Sequence, residues 1–404
     1  MKVTLSDIRA AARRTAGKVA VTPCPESIPL SEITGARIFC KLDNLQRTGS
    51  FKERGACNAL SRLKGAARSK GVIAASAGNH ALGLAYHGRL QEIPVTVVMP
   101  LHAPLIKVTT CRRLGARVIS FGHDFIEAVT EARRLSASEG LTYVHGFDDP
   151  DIIAGQGTIG LEILRQVPDV DAIVCPIGGG GLIAGLAVAI KSLRRRVRVI
   201  GVESMATASF TAALRAGKPV SIPRRPTLAD GLAVFKVGLL SFSIARDLVD
   251  EVVRVEESFI AQAILRMVEL EKIIVEGAAA APLAAMMSGC IKGLEGKKVV
   301  LVACGGNIDP AVLSRVIEKG LVHDGRLVRF EVSISDRPGG LARLATVIAD
   351  SGASIRDIAH DRAFSGPDVS AVNVICTVET RDKEHVRVLM KELKKAGLTP
   401  SLAG

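Results

Sequence analysis

GVIAASAG (71–78), PVTVVMP (94–100), ARVISFG (116–122) and LTYVHGF (141–147) are four short apolar runs set at regular intervals. Each has the length of a buried strand. The stretches between them, 104–114 and 124–139, have helical spacing and length. Alternation of this kind implies a parallel sheet whose crossovers are right-handed. The scheme restarts at AIVCPI (172–177), passes through a helix over 181–195 to VRVIGVE (197–203), and continues with EVVRV (251–255) and KKVVLVAC (297–304) before a helix near 310–320. The chain therefore reads as α/β, with a small unit over 57–153 and a larger one assembled from 1–56 and 154–322.

Beyond HDGR (323–326) the texture changes. LVRFEVSIS (327–335) has the alternation of a half-buried strand. PGGLARLATVIADSG (338–352) follows as a helix opened by Pro338 and closed by Gly352. Two further strands, ASIRDIAH and SAVNVICTVE, precede the charged helix RDKEHVRVLMKELKKAG (381–397), and LTPSL (398–402) offers a last short strand. The order β-α-β-β-α describes a ferredoxin-like α+β module over 326–404. A domain this small is expected to pair with a copy of itself.

Composition narrows the function classes. Among 404 residues, 48% are hydrophobic but only 3% aromatic, with no Trp. Ala, Val, Ile and Leu supply the apolar mass, as parallel sheets covered on both faces require. No apolar run is long enough for a membrane span. The opening MKVTLSDIRAAARRTAGKVA lacks a secretory core and reads as an amphipathic helix with Arg9, Arg13 and Arg14 facing water. Eight scattered cysteines without CxxC spacing suit reduced thiols, so a cytoplasmic location is expected. The net charge of +13 is spread over helices, and its two clusters, Arg194–Arg196 and Arg224–Arg225, carry no interleaved aromatics. That pattern fits a solvated basic surface attractive to anionic small molecules, and neither nucleic acid nor membrane is expected as a partner.

Four motifs carry chemistry. In KLDNLQRTGSFKERGA (41–56), Lys52 stands among small and apolar neighbours; desolvation there would lower its amine pKa, as Schiff-base formation needs. SAGNHA (76–81) lies at the carboxyl end of a strand, where open α/β sheets bind ligands. It serves either as a carboxylate-receiving loop or as ordinary helix capping. His80 fits a packing or capping role, since no second metal ligand stands at the right spacing. GGGGL (178–182) lets the backbone approach a phosphate at a helix N-terminus. The same stretch also satisfies a loose dinucleotide pattern through Gly179, Gly181 and Ala184, with Glu203 about twenty residues on, so a nicotinamide dehydrogenase stays open. Finally, Cys304 in VACGGN (302–307) either fills apolar space or faces a ligand ring.

Taken in order, KLDNLQRTGSFKERGA, SAGNHA, HGFDDPDIIAGQGTIGLEI, CPIGGGGL, GVES, TLADGLAV, VEGAAA and ACGGNID resemble the serine/threonine dehydratase family over almost all of 20–320. The domain beginning near 326, with DRPG at 336–339, is similar to an ACT domain. The resemblance implies the type II fold of pyridoxal 5'-phosphate (PLP) enzymes, which is that of the tryptophan synthase β chain, with two parallel-sheet lobes and an ACT regulatory domain. It implies that Lys52 holds the cofactor and acts as catalytic base, that Phe51 and Asn79 flank the ring, and that Gly178, Gly179, Gly180, Gly181 and Leu182 cradle the phosphate. Gly231 would line the ring side and Cys304 would face the pyridine nitrogen. Ser76, Ala77, Gly78, Asn79 and His80 would receive the substrate carboxylate.

The implied reaction is elimination of water from L-threonine followed by hydrolysis of the resulting imine, giving 2-oxobutanoate and ammonia, with L-serine to pyruvate as a side activity. A serine-preferring dehydratase or a racemase is the alternative within the family; Ala77 stands where related serine racemases place a second acid/base serine. Isoleucine or valine would bind near Asp336, Pro338, Gly339 and Gly340, and the enzyme would be a homodimer or homotetramer. No metal is expected: Glu203 matches one ligand of a cation site found in some relatives, but Ser209 stands where an Asp would be. Two departures, Asp43 for Glu and Gly146 for Pro, are expected not to touch the chemistry.

Overall fold

The computed structural model describes residues 3–223, 225–361 and 370–402; Arg224 of the expected basic pair lies outside them. The chain divides into two compact units, 1–309 and 310–404. The first holds strands β1 (Glu26–Ser27), β2 (Arg37–Lys41), β3 (Val72–Ala75), β4 (Val95–Met99), β5 (Arg117–Ser120), β6 (Thr142–Tyr143), β7 (Ala172–Pro176), β8 (Arg198–Ser204), β9 (Glu251–Val255) and β10 (Lys298–Val302). They form two sheets. The larger has the order β1-β2-β10-β7-β8-β9 and the smaller β5-β4-β3-β6. Every neighbouring pair is parallel except β1 with β2.

All four residues of β3 and all five of β4, β7 and nearly all of β8 and β10 are buried, which is why these strands read as continuous apolar runs instead of alternating ones. Helices expected over 104–114, 124–139 and 181–195 occupy Leu105–Arg113, Phe125–Glu139 and Gly181–Leu193. The last two end on Gly140, in the left-handed region, and on Arg194, in the exposed Arg194–Arg196 cluster.

The N-terminal helix, Leu5–Thr15, starts on a capping box between Thr4 and Asp7 and buries Ile8 and Ala11. One expectation about it needs correcting. Arg9 and Arg13 are exposed, but Arg14 is half-buried and its Nε donates to Asn58 Oδ1 at 2.8 Å. Asn58 in turn donates to the carbonyl of Asp151, so this arginine ties the helix to the site's scaffold.

That scaffold is built on glycine. The helix Pro150–Gln166 crosses Gly181–Leu193 where Gly157 and Gly185 meet. A Cβ on Gly157 would lie 2.7 Å from Gly185 O, and one on Gly185 would run into the carbonyl of Ile153. Only hydrogen at these positions lets two backbones pack so closely.

The second unit has β11 (Leu327–Ser335), β12 (Ser354–Asp361), β13 (Ala371–Glu379) and β14 (Ser401–Leu402) in the antiparallel order β12-β13-β11-β14. Helices Gly340–Asp350 and Lys383–Lys395 bury Leu344, Ile348, Leu389 and Leu393 against Phe330, Val332, Val374 and Cys376. The helix Pro310–Asp324, expected with the larger lobe, falls in this unit and packs on β11. Its apolar face finds a partner strand just downstream, a choice that periodicity alone does not decide.

Candidate active site

Parallel strands end together, and the loops after β3, β7 and β10 converge on one cleft of about 740 Å³ in the first unit. Phe51, Lys52, Ser76, Ala77, Gly78, Asn79, His80, Gly178, Gly179, Gly180, Gly181, Leu182, Gly231 and Cys304 all line it. Residues drawn from five separate segments of sequence thus meet in one place. Asp336, Pro338, Gly339 and Gly340 sit together in the second unit, in the exposed turn from β11 into Gly340–Asp350, where Gly339 has φ +96°.

Lys52 opens the helix Lys52–Arg62, and its Nζ donates to Gly146 O at 2.6 Å. Burial drives its amine pKa down to about 8. The backbone before it is anchored by Phe51 N donating to Cys304 O at 2.9 Å. Behind it, Arg54 is buried and bidentate to two carboxylates: Nε and Nη2 to Asp43 at 2.6 and 2.8 Å, Nη1 and Nη2 to Glu162 at 2.6 and 2.9 Å. Lys41 Nζ joins the same Glu162 at 2.6 Å. Burial would raise the Asp43 pKa, but the Arg54 guanidinium, the Thr22 hydroxyl and the Lys41 ammonium together hold the carboxyl below its usual range.

Asp43 and Gly146, expected to stand clear of the chemistry, both lie in the surroundings of Lys52. Asp43 supports Arg54 two residues from the lysine, and the Gly146 carbonyl receives the lysine's own hydrogen bond. A backbone carbonyl does this whichever side chain the position carries, so the departure from Pro leaves the contact in place.

The glycine loop is packed without slack. A Cβ on Gly178 would lie 2.8 Å from Gly231 O, and one on Gly181 2.5 Å from Phe147 O. Gly180 has φ +91° and caps the helix Gly181–Leu193, which has no side-chain cap. The orphan N–H groups of that 13-residue helix are left to face an anion.

His80 is buried; its Nε2 meets Val144 O at 3.1 Å. A carbonyl only accepts, so Nε2 carries the hydrogen and Nδ1, which has no partner, keeps a bare lone pair. Burial lowers the ring's pKa to about 3, so it stays neutral. Burial also raises the Cys304 thiol well above its usual range, keeping it protonated.

Several cleft residues received no role from the sequence. Glu276, at the start of Gly277–Met287, accepts from Asn79 Nδ2 at 2.9 and 3.1 Å. Asn307 Nδ2 donates to Asn79 Oδ1 at 2.8 Å. Phe147 covers the glycine loop, and Asp148 accepts from the N–H groups of Leu239 and Ser241 at 2.9 and 3.0 Å. Their segments (VEGAAA, ACGGNID and HGFDDPD) were singled out, yet acids and amides there give no local cue to a site. Lys107 carried no signal at all; it reaches Asp230 at 3.7 Å from the opposite lobe.

Glu203, the residue that kept a dinucleotide reading open, does not line the cleft. Its carboxylate accepts from Phe210 N, Thr211 N and Thr211 Oγ1 at 2.7, 2.8 and 2.6 Å, capping the helix Ser209–Ala216. Fully buried and committed to that cap, it is out of reach of a ribose in the cleft.

A half-buried lysine of lowered pKa, in one cleft with a glycine cradle and a helix N-terminus that has no side-chain cap, suits an aldehyde that carries a phosphate. Comparison with known proteins agrees. Residues 16–305 match the pyridoxal-phosphate dependent enzyme family, and residues 328–397 match the ACT domain. The chain belongs to the pyridoxal-phosphate dependent enzymes, with an ACT domain at its C-terminal end. It is 44% identical over 402 residues to an L-threonine ammonia-lyase of Thermotoga maritima, covering all of both chains. It is 47% identical over 390 residues to an L-threonine ammonia-lyase of Geobacter sulfurreducens, covering 96% of this chain and 97% of that protein. Among solved structures it resembles threonine deaminase isoform 2 from Solanum lycopersicum (TM-score 0.74, 38% identity, 78% of this chain and 92% of that one). It also resembles maize serine racemase (TM-score 0.75, 33% identity, 80% and 99%). Among the described residues no helix is long and apolar enough to cross a membrane.

Proposed function

We propose that this chain is an L-threonine ammonia-lyase, converting L-threonine to 2-oxobutanoate and ammonia, with L-serine to pyruvate as a slower reaction. The observation that carries the reading is Lys52, half-buried with a lowered pKa in one cleft with the Gly178–Leu182 cradle, in a chain similar from end to end to two proteins of that name. Lys52, Phe51, Asn79, Gly178–Leu182, Gly231 and Cys304 hold the cofactor; Ser76–His80 receive the substrate carboxylate.

When bound, pyridoxal phosphate supplies the electron sink for the pair left at the substrate Cα. The residues do the rest. At pH 7.5 a lysine of pKa about 8 is roughly one quarter neutral, about two hundredfold more than a free lysine, so its amine is available to take the Cα proton. The Gly146 carbonyl holds that amine in the cleft. The first-turn N–H groups of Gly181–Leu193 orient the phosphate. His80 and Cys304, both neutral, put no charge beside the ring, and a neutral thiol cannot hold a protonated pyridine nitrogen as a carboxylate would. A weaker sink favours prompt loss of the β-hydroxyl. Ala77 offers no proton to the opposite face, which disfavours racemisation.

The ACT domain binds an amino-acid effector, isoleucine or valine, at Asp336–Gly340, and the enzyme works as a homodimer or homotetramer in the cytoplasm. The test is the visible spectrum of the purified protein before and after borohydride, with keto acid assayed from threonine and serine separately. A band fixed by reduction onto Lys52, with faster release from threonine, supports the reading. A colourless protein that stays inert when given pyridoxal phosphate sinks it.

A further inference from the structure

The polar groups between Thr48 and Glu276 form a chain with one possible direction. Asn307 Nδ2 spends its hydrogens on Thr48 O at 2.7 Å and Asn79 Oδ1 at 2.8 Å. Asn79 must then present Nδ2 to Glu276. The backbone N–H of Asn307 also bonds Glu276, so this carboxylate stands at the end of the chain between donors, itself only an acceptor. It is 4% exposed and lines the catalytic cleft.

We propose that Glu276 is a positioning residue: its carboxylate fixes the direction of the chain Thr48–Asn307–Asn79–Glu276, and so which atom of the Asn79 amide meets the cofactor. One hydrogen of Nδ2 is held on Glu276; the other is left for the ring. This inference rests on the proposed cofactor site and deepens it.

Protonating Glu276 places a donor among donors. If Asn79 turned its oxygen to the new O–H, its Nδ2 would face Asn307 Nδ2, whose hydrogens are already committed. A buried polar group would lose its partner whichever way the amide turned, so the chain opens. Burial raises the Glu276 pKa to about 7, against the Asn79 hydrogen bond that lowers it, so the change falls in the working range. The other charged or titratable groups facing it are Asp230 from the turn Asp230–Leu232, Lys107 from Leu105–Arg113, Lys52 from Lys52–Arg62, and the Cys304 thiol after β10. Asp230 pushes the same way as burial; Lys107 pushes back.

The sign follows. Above pH 7 the carboxylate is ionised and the chain closed; below it the chain opens. Turnover and the absorbance of bound cofactor are expected to share an acid limb near that value. Glu276→Gln replaces one carboxylate oxygen with an NH2 that only donates and so sets a donor among donors, as the protonated form does, at every pH. Cofactor affinity is expected to fall roughly ten- to a hundredfold, the loss of one hydrogen bond to a charged group, and the limb near 7 to vanish, leaving only the fall below 8 that the Lys52 amine imposes on every variant. Glu276→Asp keeps the charge and is expected to keep the limb with a smaller loss.

The experiment titrates wild type and both variants with pyridoxal phosphate from pH 5.5 to 9, reading absorbance, then turnover, with the melting temperature of each protein alongside. An E276Q enzyme that keeps the wild-type limb, or binds cofactor within twofold of wild type, overturns the proposal. So does a fall in melting temperature with the pH profile unmoved, since that marks a merely structural role. Wild type that binds cofactor but ignores threonine and serine refutes the substrate assignment alone, because the absorbance titration still judges Glu276. Wild type that binds no cofactor removes both.

Discussion

Replacing Gly179 with alanine tests whether the cofactor cradle is as tightly set as it looks. The added Cβ would lie under 3.0 Å from three ring carbons of Phe147, Cγ, Cδ1 and Cδ2. Ordinary carbon contacts are about 3.5–4.0 Å, so ring and loop must part by roughly an ångström. Phe147 is poorly placed to yield. Its carbonyl accepts from Ser241 Oγ at 3.0 Å, its neighbour Asp148 is bonded to Leu239 and Ser241, and His145 stands edge-on to its ring at 4.5 Å. Overpacking of this kind costs about 1–3 kcal/mol. If the loop takes the displacement, its N–H groups leave their phosphate positions and the dissociation constant for pyridoxal phosphate rises about five- to 150-fold. The assay is absorbance titration of the apoenzyme, with melting followed in parallel. A G179A protein that binds within twofold of wild type, and melts at the same temperature, refutes the claim that Phe147 sets the loop.

Three other outcomes follow from named contacts. Lys52→Ala is expected to abolish turnover and borohydride labelling; in wild type, attachment of the cofactor should slow about tenfold per pH unit below 8, because only the neutral amine attacks, and a pH-independent rate would contradict this. Arg54→Met leaves Asp43 and Glu162 buried with only Lys41 to share, and should cost about 3–5 kcal/mol of stability in urea unfolding; a loss under about 1 kcal/mol would mean the network is not cooperative. Isoleucine or valine should shift threonine turnover in wild type, and Asp336→Ala should remove that response while leaving effector-free turnover intact; equal responses in both proteins would move the effector site elsewhere.

Much of the scaffold was legible because burial on both faces leaves an unambiguous mark. β3, β4 and β7 are short, apolar but for Thr96 and bounded by loops of Gly, Pro or Ser, so nothing competed with the strand reading. The ACT module was legible for the opposite reason: β11 alternates, with one face on its helices and the other away from them. What stayed hidden has physical causes too. β1 is two residues long and pairs with a strand ten residues downstream, below the length at which periodicity speaks. Pro310–Asp324 is amphipathic, but a pattern names an apolar face and not what that face meets. In the site, glycines and the lysine announced themselves by position, while Glu276 and Asn307 mattered only through the partners that folding brings to them.

The precision of Lys52 illustrates why site residues outnumber motif residues. Its helix is gripped on two sides by backbone. A Cβ on Gly83 would sit 3.3 Å from the Lys52 carbonyl carbon, and one on Gly155 2.6 Å from Arg54 O. Side chains can change rotamer, whereas backbone contacts of this kind can shift only with a whole helix. Arg54 then locks rotation about the helix axis by bonding Asp43 on one side and Glu162 on the other. With both translation and rotation constrained, the lysine's only freedom is its own four-carbon stem, and the Gly146 carbonyl removes much of that. A base that must take a proton from one face of a substrate, the role proposed for Lys52, needs this degree of placement. Apart from the Gly146 carbonyl, it comes from residues of neighbouring segments, Gly83, Gly155, Asp43 and Glu162, that bond or pack against the helix and not against the lysine amine.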